Sequence, residues 1–184
     1  MKRITLILVL TVIVLANAAA QQGAKQASVA DITFTYTKQG GMGSNQFAIW
    51  IEDADGQYVK TLYATRFTAN GGWKRRPASI PLWVKQSGIA KKSAKEIDAI
   101  GGATPKAGAL AYSWDGKNEK GKAVPDGEYF LILEASLRND NYALYRVPVI
   151  IGQGASSHDA VPEYSGSSTA EHGMISDVKV KVIR

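Results

Sequence analysis

The chain has 184 residues, 45% hydrophobic and 21% charged, with 18 Gly, 6 Pro, no Cys and a formal net charge of +6. This composition excludes collagen-like, coiled-coil and wholly disordered readings, and the length suits one domain that can bury a full core. Without cysteine there is no disulfide, thiolate metal site, cysteine nucleophile or acylated lipoprotein cysteine.

Residues 1–20 read as a secretory leader. Lys2 and Arg3 form a basic start, Ile4 to Leu15 an apolar run, and Ala16-Asn17-Ala18-Ala19-Ala20 a small-residue cleavage region. Cleavage near Ala18–Ala20 leaves a flexible tail over 21–28 and a single domain over 29–184. The expected location is the periplasm or the cell exterior. No second apolar run reaches spanning length, so the product is not expected to cross a membrane. Removing the leader takes away two cations and no acids, leaving +4.

In chain order, Asp31 to Thr37 alternates Ile32, Phe34 and Tyr36 against threonines, the pattern of a half-buried strand. Gln46 to Glu52 is a second strand. Asp53-Ala54-Asp55-Gly56 is a hairpin turn, since Gly56 and Gln57 break the spacing of a calcium loop. Gln57 to Phe67 returns as a third strand. Alternation then stops over 68–108, a long insertion rich in Gly, Ala, Ser and Lys. A short helix is expected near Pro81, with Ser79 close to its N-cap and Gly88 at its end. Strands resume at Ala109 to Trp114, Glu128 to Ser136, Ala143 to Ile151 and Asp177 to Arg184, and 152–173 reads as irregular surface loop. About seven short strands and almost no helix predict an all-β, antiparallel β-sandwich with a long basic loop and short-helix insertion.

Trp114-Asp115-Gly116 through Gly121 and Val124-Pro125-Asp126-Gly127-Glu128-Tyr129 resembles the W-D-G…V-P-D-G-x-Y hairpin of immunoglobulin-like domains, best known from the flagellar hook-capping protein. With Gln46 to Asp53, Val59 to Leu62 and Gly102 to Lys106, the chain resembles an uncharacterised family of predicted periplasmic proteins, a domain of unknown function. The resemblance implies an immunoglobulin-like fold and an association with extracytoplasmic redox and flavin-handling proteins.

Asp98-Ala99-Ile100-Gly101-Gly102-Ala103-Thr104 resembles the D-x-x-S/T-G-A-S/T acceptor motif of exported flavoproteins, whose last hydroxyl carries FMN as a phosphoester. The resemblance implies Thr104 as the attachment residue, Gly102 and Ala103 as space for a transferase, and Asp98 as the motif's acid. Gly101 and Pro105 depart from the pattern, which has hydroxyl residues at those places.

The span from Trp73 to Lys106 holds eight cations against Glu96 and Asp98. Trp73, Lys74, Arg75 and Arg76, with Trp83 nearby, join aromatic faces to cations. In an exported protein that combination suits a glycan, an anionic polymer or an isoalloxazine ring rather than nucleic acid. His158 and His172, the two histidines, sit far apart in the 152–173 loop and give no metal-site geometry. No hydrolase or nucleotide-triphosphatase motif is present.

Three expectations follow. The first is a non-enzymatic accessory domain in extracytoplasmic flavin-linked electron transfer or iron handling, with an exported FMN transferase or membrane redox protein as partner. The second is a binding or adhesion-type module using the basic aromatic loop against glycan or anionic surface polymer. The third is a structural subunit that pairs a sheet edge with another exported protein.

Overall fold

The computed structural model describes residues 29–40, 45–137, 141–165 and 173–183. The expected leader (1–20) and tail (21–28) lie outside the described residues, as does His172.

Strands β1 (Ala30–Tyr36), β5 (Gly108–Trp114), β8 (Ser156–Asp159) and β10 (Ile175–Val182) form a four-stranded sheet in the order β5-β1-β10-β8. Strands β2 (Gln46–Asp53), β3 (Tyr58–Thr65), β4 (Gly101–Gly102), β6 (Gly127–Ser136), β7 (Ala143–Ile151) and β9 (Glu163–Tyr164) form a second, in the order β4-β3-β2-β6-β7-β9. The alternating segments behave as period two requires. Ile32, Phe34 and Tyr36 of β1 and Val178, Val180 and Val182 of β10 are buried, while Thr33, Lys179 and Lys181 are exposed.

Strand β2 is different, being buried on both faces from Gln46 to Glu52. Its Phe47, Ile49 and Ile51 join the core between the two sheets, together with Leu131 and Leu133 of β6. Its Ala48 and Trp50, with Ile132 of β6, join a second core on the opposite face. That second core is closed by helices α1 (Arg66–Ala69), α2 (Pro81–Ser87) and α3 (Ala94–Ile100), and by two 3-10 turns over 72–74 and 89–91. Ala69, Ile80, Trp83 and Ile89 are its buried side chains from the helical layer.

The expected all-β, immunoglobulin-like antiparallel sandwich is therefore corrected. Besides the short helix expected near Pro81, which is α2, helices α1 and α3 stand in and beside the span read as loop, and no sheet closes into a sandwich or barrel. The sheet they cover is also mixed, because β4 runs parallel to β3 at Ala64 and Thr65. The physical reason is length. Helices of four and seven residues never repeat an apolar stripe, so tertiary packing rather than periodicity defines them.

Helix α2 has Pro at its first turn and ends at Gly88 in the left-handed conformation (φ 59°), as the sequence suggests. Its N-cap is Ile80 rather than Ser79, at φ 42°, a conformation that crowds a β-branched side chain. Strand β6 holds it there. The Ile80 N–H donates to Ser136 Oγ at 2.9 Å, and the Leu82 and Trp83 N–H groups donate to the two Glu134 carboxylate oxygens at 3.1 and 2.8 Å. Helix α3 opens with a capping box in which Ser93 and Glu96 satisfy each other's backbone N–H.

Candidate functional site

The acceptor-like segment runs from the last turns of α3 through β4 into the loop that leads to β5. Its glycines are set by close packing. A Cβ at Gly102 would stand 2.3 Å from Tyr63 Cε2, and one at Gly101 would stand 3.0 Å from the Ile97 carbonyl oxygen and 3.3 Å from Ala69 Cβ. The departure of Gly101 from the acceptor pattern thus has a steric cause. Tyr63 also donates its hydroxyl to the Ala103 carbonyl at 2.8 Å, so one side chain presses on Gly102 and ties down the next residue. Burial, and then the neighbouring Tyr112 and Tyr36 phenols, push the Tyr63 pKa up, which keeps it a neutral donor. Beyond this anchor Ala103 and Thr104 are exposed, with exposed Lys106 two residues further on.

The aromatic and cationic residues divide into three groups. Trp73 is half-buried and has Lys74 Nζ 5.5 Å from its ring centre. Arg75 and Arg76 are exposed, with guanidinium carbons 5.8 and 5.5 Å from the Phe67 ring. Trp83 is fully buried under α2 and donates its indole N–H to Thr61 Oγ1 at 2.9 Å. It is a core residue and offers no face to a ligand.

A recess of about 460 Å³ in the helical layer brings Trp73, Lys74, Lys92, Ile97 and Asp98 together. Asp98 thereby meets the aromatic group, whereas Thr104 is not among the residues that line the recess. The structure thus separates two residues that lie on one motif in the sequence: the acid faces one groove, and the hydroxyl is presented past the Tyr63 anchor.

A second cleft, of about 410 Å³, lies between β3, α3 and the turn after β5. Its lysines are already neutralised. Lys60 pairs with Asp115 at 2.9 Å, and Lys92 pairs with Glu119, which also accepts from the Tyr58 hydroxyl at 2.7 Å. Burial alone would raise the Asp115 pKa, but the Lys60 partner outweighs it and holds the carboxyl below its ordinary value. Asp115 and Glu119, in the segment after β5, thus anchor β3 through these bonds. Their anchoring of β3 joins residues 55 and 61 positions apart, which no local pattern encodes. Asp53 does make the expected turn, its Oδ1 accepting from the Asp55 and Gln57 N–H groups at 3.0 and 2.8 Å.

Among comparisons with known proteins, a family profile described as predicted periplasmic protein (DUF2271) matches residues 27–166. No curated protein and no solved structure matches the chain.

Proposed function

The chain belongs to that predicted periplasmic family, and from this premise we propose that it is a non-enzymatic periplasmic carrier domain that takes FMN as a phosphoester on Thr104. The observation that carries the reading is the contrast within one short segment. Gly102 and Ala103 are held by Tyr63, while the adjoining Thr104 is exposed. An acceptor needs both properties, because a transferase must reach the hydroxyl and the attached group must then be held by a fixed piece of backbone.

The residues present fit the group. Ala103 leaves approach open, Thr104 supplies the hydroxyl, and exposed Lys106 supplies a cation for the phosphodiester. The partner class is an exported FMN transferase using FAD. Thr104 Oγ1 forms a bond to the phosphorus next to riboflavin, the bond from that phosphorus to AMP breaks, and the threonine proton leaves with AMP. No electrons move in this step. Once attached, the isoalloxazine supplies one- and two-electron transfer, and the chain tunes and presents it.

Co-expression with such a transferase, followed by intact mass, tests the reading. The expected result is a gain of one FMN less water and a yellow protein, both lost in Thr104→Ala. An unmodified mass with an active transferase and FAD present refutes it.

A further inference from the structure

We propose that the outward side of the helical layer is a docking surface for an anionic phospholipid bilayer. The layer turns Ala69, Ile80, Trp83 and Ile89 toward the six-stranded sheet, so its charged residues are left to the other side. Lys74, Arg75, Arg76, Lys85, Lys91 and Lys95 are exposed there, and among the described residues none of these six is in an ion pair. Residues 66–100 hold eight cations against Glu96 and Asp98, a net of +6, and the whole chain also carries +6, so the entire excess sits in this span. The apolar residues of the layer are committed to one sheet face, which leaves these cations in water.

The form of the patch selects the partner. Its cations are distributed along the layer, from Lys74 in the first 3-10 turn and Arg75 and Arg76 just after it, through Lys85 in α2 and Lys91 in the second 3-10 turn, to Lys95 in α3. The recess at Trp73 and Lys74 also contains Asp98, which lowers its own attraction for a single anion. A spread of charge without a focus matches an extended anionic plane better than a small ligand. Arg75 and Arg76 lie over the Phe67 ring, which orders each guanidinium and leaves N–H groups for phosphate oxygens. Trp73, half-buried with a cation over its ring, is the residue type that settles at a headgroup boundary. The periplasm is bounded by phospholipid on both sides, so the partner is at hand. No described helix is long and apolar enough to cross a membrane, and the attachment proposed here is peripheral.

The test is co-sedimentation with vesicles of phosphatidylcholine alone or with phosphatidylglycerol added, at low and high salt. It needs no flavin, so its outcome is separate from that of the Thr104 reading. Binding is expected only with phosphatidylglycerol and only at low salt. Each cation at such a surface contributes about fivefold in affinity, so Lys85→Gln/Lys91→Gln/Lys95→Gln is expected to bind roughly a hundredfold more weakly. These side chains are exposed, and a thermal melt checks that the variant is folded. Lys179→Gln/Lys181→Gln, on the four-stranded sheet, is expected to bind as the parent does. Equal binding to both vesicle types, a triple variant that binds like the parent, or an equal loss in the β10 variant overturns the proposal. So does retention on an acidic polysaccharide with no vesicle binding.

Discussion

Gly102→Ala places a methyl carbon where Tyr63 Cε2 is only 2.3 Å away, about 1 Å inside ordinary contact distance. Gly102 is not among the glycines at positive φ, so alanine meets no backbone penalty and the cost is steric. The tyrosine ring has little freedom to retreat. It is stacked 5.0 Å from Phe47 and tilted against Tyr112 at 4.9 Å, and its hydroxyl is bonded to Ala103. Overpacking of this kind costs about 1–3 kcal/mol, and a broken Tyr63–Ala103 hydrogen bond adds about 1 kcal/mol. The lower chain entropy of unfolded alanine returns about 0.4–1 kcal/mol. The expected net loss is about 1–4 kcal/mol, read by urea unfolding with an unchanged slope. Tyr63→Leu removes the ring, so Gly102→Ala made in that background is expected to be nearly neutral. An equal effect of Gly102→Ala in both backgrounds would refute the close-packing account of this glycine, and with it the claim that Tyr63 anchors the segment before Thr104.

Glu134 is buried under α2, and burial, outweighing the Trp83 and Leu82 N–H donors, pushes its pKa up from 4.5 to about 8. Its folded value lies above its unfolded value, so its contribution is complete below about pH 4 and is lost as the pH rises through about 8. At 1.36 kcal/mol per unit the loss is on the order of 5 kcal/mol. Unfolding measured from pH 5 to 8.5 is expected to show falling stability, and Glu134→Gln a flatter profile from a lower start, because its amide N–H₂ opposes one backbone donor. A parent profile that rises over this range contradicts the assignment. Trp83→Ala empties the centre of the second core and is expected to cost about 3–5 kcal/mol; a thermal melt within 2 °C of the parent would place Trp83 outside it. Arg146 donates to Glu52 Oε2 at 2.8 Å and lies 3.8 Å over Phe130. Arg146→Met leaves buried Glu52 with the Trp50 and Gln86 donors alone, an expected loss of about 1–3 kcal/mol in urea unfolding. An unchanged midpoint would show that the half-exposed arginine contributes no stability.

Strands β1, β7 and β10 are legible in the sequence because each has one apolar face. Strand β2 is legible as a strand, but its Trp50 gives no hint of what covers it. The answer lies in Ile80, Trp83 and Ser87, which are spaced as one helical face and are all buried, yet span barely two turns of seven-residue α2. The Ser93-x-x-Glu96 capping box was the one local signal that a helix, not a loop, starts at Ala94. At the candidate site, Thr104 and Gly102 could be proposed from the motif. Tyr63 could not, because it reaches Gly102 and Ala103 from 39 and 40 positions earlier. Trp73 and Trp83 look alike in sequence, and only the sheet beneath them decides that one is half-exposed and the other is core.

How helices this short hold their places is a question of polar anchoring as well as apolar burial. Segments of four and seven residues do not persist in water. The six-stranded sheet grips them with buried acceptors. Gln46 Oε1 on β2 accepts from Thr65 and Thr68 at the start of α1, at 2.6 and 2.9 Å. Thr61 on β3 accepts from Trp83, and Glu134 and Ser136 on β6 accept from three backbone donors at the start of α2. Each acceptor is nearly free of solvent, and a shift of the layer would take every one of these donors from Glu134 and Ser136, at about 1–3 kcal/mol for each buried group left unsatisfied. The layer is thus fixed in register on the sheet rather than laid loosely over it. That fixity lets a lysine-rich stretch present a constant charged surface, and lets β4 deliver Thr104 from a rigid support.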